Sequence, residues 1–239
     1  MEVGRVNRRG AAKVVFVTGT DTGVGKTVLT ALLLSHLRGQ GINALAVKPF
    51  ASGGRDDALL LQSISGDGIT LDDVNPFHFK MPVAPLIAAR EEGVNVRRSE
   101  VIGWLRRVRG KCDVLLVEGA GGLLTPLGEK YDLLNLGHTF DPSVILVAPN
   151  RLGVLSQTRA AMQCLQAASV KKKSVVLTPL GIRRNDVSIL TNCAVLTELL
   201  QKTSIFEFPR MGSKNRAADK IGASAKKIKK LLAEIWESL

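Results

Sequence analysis

Short runs of consecutive apolar residues alternate along the chain with stretches in which apolar residues recur every three or four positions. The runs are residues 14–17, 42–47 (interrupted by Asn43), 114–117, 144–147 and 175–178 (ending in Thr178). They are rich in β-branched residues and lack polar alternation, the pattern of strands covered on both faces in a parallel sheet. After the first run, Leu29, Leu32, Leu33 and Leu37 have helical spacing, as do Val101, Ile102, Leu105 and Val108 within 99–109. Further helices are expected over 58–62, 86–92, 152–168 and 186–200. Strands alternating with helices predict an α/β fold: a three-layer domain with a mostly parallel sheet flanked by helices. Residues 205–208 read as a last strand. Ile228, Leu231, Leu232, Ile235 and Leu239 then form the apolar side of one final helix packed on the core, with its lysines facing outward. Residues 72–85 have no period and are interrupted by prolines, so a loop is expected there.

With 239 residues, a single domain over 14–239 is expected, preceded by a basic disordered tail, 1–13, that lacks the apolar core of a signal peptide. The net charge of +12 raises the question of nucleic acid. The cations cluster in that tail, at Lys171 to Lys173 and near the C-terminus, and aromatics are only 4% of the chain. Without aromatic stacking platforms among the cations, a solvated basic surface is expected and not a nucleic-acid partner. No apolar run approaches the roughly 20 residues that cross a bilayer, so no membrane partner and a cytoplasmic location are expected. Cys112, Cys164 and Cys193 stand too far apart for a disulfide or metal framework, and the three histidines are equally scattered.

Candidate chemistry concentrates where the first run meets the first helix. Gly19-Thr20-Asp21-Thr22-Gly23-Val24-Gly25-Lys26-Thr27 joins a buried strand to a helix. Its glycines allow a tight turn whose N–H groups face an anion. Lys26 serves the outer phosphates and the Thr27 hydroxyl serves Mg²⁺. The loop is one residue longer than the common Gly-x₄-Gly-Lys-Ser/Thr pattern, because Thr20 stands where its first glycine would be. Lys48 ends the second strand and is aimed at the same sheet edge, where ligands of parallel sheets sit. Asp56 and Asp57 begin a helix and suit either capping or Mg²⁺. Glu118, at the tip of an apolar strand before Gly119-Ala-Gly121-Gly122, suits Mg²⁺. The free N–H groups from Gly153 to Ser156 form a second anion site suited to a carboxylate.

These motifs resemble the dethiobiotin synthetase family. The match is carried by Phe16 through Thr27, Lys48-Pro-Phe-Ala-Ser-Gly53, Asp57-Ala-Leu-Leu-Leu-Gln62, Asn75-Pro-Phe with the later Pro85, and Leu116-Val-Glu-Gly-Ala-Gly-Gly-Leu-Leu-Thr-Pro-Leu127. The resemblance implies a homodimer that uses ATP and Mg²⁺ to join CO₂ to 7,8-diaminononanoate as a cyclic urea. It implies that Lys26 and Lys48 neutralise the carbamate and the transferring phosphoryl group, that Thr22 and Ser52 hydrogen-bond carbamate and diamine, and that Gly121 lines the substrate site. Thr27, Asp57 and Glu118 become the Mg²⁺ shell, which settles the Asp56/Asp57 ambiguity. The site at Gly153 to Ser156 takes the substrate carboxylate from across the dimer. Gly119 and Pro209 fall at nucleotide-contact positions. Thr178-Pro179-Leu180 replaces the Asn-Asp pair with which the family reads adenine, and proline offers neither N–H nor amide; loose base selectivity is expected. The alternative is a phosphate-loop switch ATPase or another amide-forming ligase of the same superfamily; switch ATPases carry a second lysine where this chain has Asp21, so the switch reading loses its central residue.

Overall fold

The computed structural model describes residues 12–66, 68–179, 186–211 and 218–239. The basic tail falls largely outside them, although Lys13 already belongs to the first strand. In chain order the elements are β1 (Lys13–Gly19), α1 (Lys26–Gly39), β2 (Ala44–Val47), β3 (Phe50–Ser52), α2 (Asp56–Ser65), α3 (Leu71–Val74), β4 (Phe77–Phe79), α4 (Pro85–Glu91) and α5 (Arg98–Arg109). There follow β5 (Val114–Glu118), α6 (Leu133–Gly137), β6 (Ser143–Pro149), α7 (Val154–Ala167), β7 (Lys173–Thr178), a 3₁₀ turn (Val187–Leu190), α8 (Asn192–Leu199), β8 (Ser204–Glu207), α9 (Ala218–Lys227) and α10 (Lys229–Glu237).

Six strands form one sheet in the order β2-β5-β1-β6-β7-β8, every pair parallel. The unbroken apolar runs explain the layering: β5 is buried along its whole length, and so is β6, because helices cover both faces. β1 lies between β5 and β6, with Phe16 beside Val117 and Val144. Its carboxyl end therefore opens where the strand order reverses, the usual place for a ligand in such sheets.

Four expectations need correction. Residues 72–85 are not a plain loop: they hold the end of α3 and β4, and β4 pairs in parallel with β3 as a small second sheet with Phe50 opposite Phe77. Phe50 and Phe77 stack at 5.0 Å, and this aromatic contact holds together strands too short to stand alone. The helix expected over 186–200 is a 3₁₀ turn followed by α8, with Thr191 between. The single C-terminal helix is α9 and α10, interrupted at Ile228, whose backbone leaves the helical region (φ −110°, ψ 24°). The second strand begins at Ala44, two residues later than the apolar run. The last helices still pack as expected: Leu232 and Ile235 are fully buried, and Ser143 Oγ donates to the carbonyl of the terminal Leu239 at 3.1 Å.

Candidate functional site

The phosphate loop leaves β1 through a turn tied to its neighbours. Thr20 N donates to Val147 O at 3.0 Å and Leu123 N donates to Gly19 O at 2.9 Å. Gly25 caps α1 with φ 98°, a left-handed conformation that a side chain would strain. Gly19 has another reason to lack a side chain: a Cβ there would lie 2.8 Å from Val24 Cγ2 and 3.0 Å from Asp21 O. Asp21, Thr22 and Gly23 are exposed at the crest, whereas Val24, Lys26 and Thr27 are buried. The buried Thr178 hydroxyl, at the tip of β7, donates to Val24 O at 2.8 Å and fixes the far side of the loop. That role was not legible in the sequence, which marked Thr178 only as a departure at a base-reading position.

Below the crest, residues distant in sequence meet. Lys26 Nζ donates to Asp21 O at 2.8 Å and to Gly121 O at 2.6 Å, so the lysine bridges the phosphate loop and the loop after β5. Glu118 is fully buried, and its Oε1 accepts from Thr27 Oγ1 at 2.7 Å and from Lys48 Nζ at 2.6 Å. Lys48 Nζ also donates to Asp57 Oδ2 at 2.7 Å. The structure thus brings Lys26, Thr27, Lys48, Asp57 and Glu118 to one place on four elements. Asp57 makes this ion pair from the first turn of α2, where no side chain caps the helix.

Burial pushes the Lys26 amine down to about 8; Glu118 partly offsets this, while the positive charge of Lys48 adds to the fall. Burial also pulls on Lys48, but Glu118 and Asp57 outweigh it and hold that amine above its ordinary range. Of the two neighbouring amines, Lys26 is thereby the more readily deprotonated.

The buried side-chain atoms without a hydrogen-bond partner among the described residues include Glu118 Oε2, in this centre, Thr20 Oγ1, on the loop after β1, and Ser52 Oγ, at the end of β3. An orphaned carboxylate oxygen costs free energy unless something completes its shell. Thr27, Asp57 and Glu118 offer only hard oxygen donors, the set that suits Mg²⁺ with water and phosphate oxygens completing the sphere. No group of three or more His, Cys, Asp or Glu that could hold a metal occurs among the described residues; two carboxylates and one hydroxyl are what these three residues would offer.

The remaining expected residues lie at the same sheet edge with different degrees of engagement. Gly119 N donates to Val17 O at 2.9 Å, and a Cβ at Gly119 would press on Leu133 Cδ2 at 3.0 Å. Gly121 has φ 64°. Gly153 caps α7 with φ 94°, and Ser156 is exposed in its first turn. Pro209 is exposed just beyond β8, whose neighbour β7 carries Thr178, and Phe208 N donates to Leu177 O at 2.7 Å. Neither Gly153 nor Ser156 nor Pro209 joins the lysine–carboxylate cluster.

The AAA domain family model matches residues 13–213. Among curated relatives, the ATP-dependent dethiobiotin synthetase BioD of Aromatoleum aromaticum is 38% identical over 64% of this chain and 71% of its own length. The chain belongs to the dethiobiotin synthetase family. The BioD of Thermodesulfovibrio yellowstonii extends the match to 88% of this chain and 93% of the relative at 31% identity. The fold is shared more widely: the Aquifex aeolicus MinC:MinD cell division complex aligns over 95% of this chain with a TM-score of 0.56 at 15% identity. The pnob8 ParA structure covers 95% with a TM-score of 0.56 at 14% identity. At the exposed crest of the loop opening Gly19-Thr-Asp-Thr, Asp21 Oδ1 accepts from Thr22 N at 2.7 Å. Among the described residues no helix is long and apolar enough to cross a membrane.

Proposed function

We propose that the chain makes dethiobiotin from 7,8-diaminononanoate, CO₂ and ATP, with the cluster of Lys26, Thr27, Lys48, Asp57 and Glu118 as its phosphoryl-transfer centre. One amine of the diamine adds to CO₂ and loses a proton, giving a carbamate. A carbamate oxygen takes the γ-phosphoryl group, and ADP leaves. The second amine then attacks the activated carbonyl carbon and expels phosphate, closing the cyclic urea. Family membership supports the reaction, and the convergence of two buried cations on a phosphate loop is the observation that carries the assignment of roles.

Phosphoryl transfer demands positioning and charge neutralisation more than covalent help from the protein. Lys26, reaching over the loop, neutralises the outer phosphates. Lys48, held by two carboxylates, faces the carbamate and the transferring group. Thr22, Ser52 and Gly121 take the carbamate and diamine; Ser52 Oγ is one of the orphaned atoms. The backbone from Gly19 to Thr27, with Gly119 and Pro209, lines the nucleotide. When bound, Mg²⁺ would be held by Thr27, Asp57 and Glu118, where it would spread the charge of the nucleotide oxygens.

Loose base selectivity is part of the proposal: the Thr178 hydroxyl is spent on Val24 O, and Pro179 has no amide to offer. The enzyme is cytoplasmic and homodimeric in this reading. Leu152 and Leu190, each 81% exposed, and Val187, 76% exposed, flank the amino end of α7 and give a second copy an apolar surface. The partner's Gly153 to Ser156 turn then reaches the substrate carboxylate. Replacing Lys26 with alanine tests the roles: phosphate release should fall by roughly 100-fold or more. Retained turnover would mean that the loop is misassigned.

A further inference from the structure

Lys48 and Asp57 form an ion pair, yet they ride on different elements, the tip of β2 and the first turn of α2. Ala46 N donates to Ser65 Oγ at 3.4 Å and ties β2 to the far end of α2; at the end that bears Lys48 and Asp57 the two elements are bridged by Asn75 and Arg55. Asn75, only 1% exposed, follows α3; its side-chain nitrogen donates to Lys48 O at 2.7 Å and to Pro49 O at 3.4 Å. Its side-chain oxygen accepts from Arg55 Nε at 3.1 Å. Arg55 Nη2 donates to Asn75 O at 2.8 Å, to Leu71 O at 3.3 Å and to Asp72 Oδ1 at 3.0 Å. The same Arg55 is the N-cap of α2, its carbonyl accepting from Leu59 N at 2.9 Å. Backbone Lys48 N donates to Val74 O at 2.9 Å and closes the bracket from the other side.

We infer that Asn75 and Arg55 are positioning residues that hold the Lys48 ammonium in register with Asp57 and Glu118. The inference rests on the role given to Lys48 above. Its physical content is specific. The amide of Asn75 is both donor and acceptor, and each half is used on a different element. The guanidinium fork spans acceptors that a lysine ammonium would not reach together. A structural asparagine would merely satisfy its own buried amide; this one links the backbone that bears Lys48 to the residue that starts the helix bearing Asp57. A displacement of about 1 Å at such a site costs on the order of 100-fold in rate.

Two variants separate positioning from folding. Asn75→Asp keeps the shape and the acceptor for Arg55 but turns an oxygen toward the carbonyls of Lys48 and Pro49. Arg55→Lys keeps the charge and removes the fork, and it stands in should the first variant fail to fold. The first readout needs no substrate: acetylation of each lysine in the nucleotide-free protein, followed by peptide mass spectrometry. The expected result is several-fold faster labelling at Lys48, with Lys26 and Lys111 unchanged. Unchanged labelling at Lys48, or an equal rise at Lys26, would overturn the inference. The second readout is turnover. Each variant should lower kcat roughly 10- to 100-fold with little change in KM for ATP, and should add less than about twofold in a Lys48→Ala background. Full multiplication of the two effects would overturn it as well. A wild-type protein inactive on the diamine would refute the proposed reaction, while the labelling result would still decide the inference.

Discussion

Lys26 carries a prediction that separates it from Lys48. Its amine titrates near 8 because burial disfavours the charge, whereas the unfolded amine titrates near 10.5. Below about 8 both states are protonated, and folding bears the whole desolvation cost; between about 8 and 10.5 the unfolded chain holds the extra proton, so stability rises with pH. Nucleotide binding runs the opposite way. Phosphate prefers the ammonium, so affinity for ATP should be flat below pH 8 and fall up to about tenfold per unit above it. Calorimetry of ATP binding at pH 8.5 in buffers of different ionisation enthalpy should show proton uptake. No uptake would mean that Lys26 is already charged in the free protein. Glu118→Gln probes the metal side: the Mg²⁺ requirement should rise roughly tenfold or more, with a smaller effect on the thermal midpoint. An unchanged Mg²⁺ titration would return Glu118 to a structural role. At this scale the sequence was informative wherever a residue follows a strand tip or a glycine loop, as Lys26, Lys48 and Glu118 do. Asn75 was read only as part of a family motif and Arg55 not at all, because their hydrogen bonds run to residues distant in sequence, which no spacing rule registers.

Elements were legible in proportion to how much of their burial is local. A strand covered on both faces writes itself as an apolar run, and β1, β5, β6 and β7 each contain the run assigned to them. β3 and β4 are three residues each and gain their stability from one another and from the Phe50–Phe77 stack, so neither has a signature of its own. The breaks at Thr191 and Ile228 were hidden because apolar spacing continues across them. The phosphate loop yields the sharpest element-level test. Gly19→Ala places a methyl 2.8 Å from Val24 Cγ2 and 3.0 Å from Asp21 O, and the loop must move; ATP affinity should fall about tenfold or more without loss of the fold. Equilibrium binding to a fluorescent ATP analogue measures this, and undiminished affinity would show that the crest adapts freely. Leu232→Ala in α10 should do the reverse. Fully buried beside the core, it should cost about 2–5 kcal/mol in denaturant unfolding while leaving ATP affinity intact.

At the scale of the molecule, the sheet brings the ends of β1, β2 and β5 to one edge, and the candidate site gathers there although its residues span positions 19 to 121. The class of fold followed from strand–helix alternation alone, and MinD-like and ParA-like structures share it at about 15% identity or less. Function was legible only through side chains grafted on that fold, above all the phosphate loop and, separately, Lys48 and Glu118 at their strand tips; that these two pair was not. The apolar surface of Leu152, Val187 and Leu190 belongs to this scale too. Replacing Leu152 and Leu190 with aspartate should convert a dimer to a monomer in sedimentation and raise KM for the diamine more than KM for ATP. A wild-type monomer that turns over normally would remove the shared-site proposal.

The most direct test of the whole account is phosphate release from ATP with Mg²⁺ and bicarbonate, measured with and without 7,8-diaminononanoate. Release that depends on the diamine, with one dethiobiotin formed for each phosphate, is the expected result. Equal release without the diamine would contradict the substrate assignment and leave a phosphate-loop ATPase of another purpose.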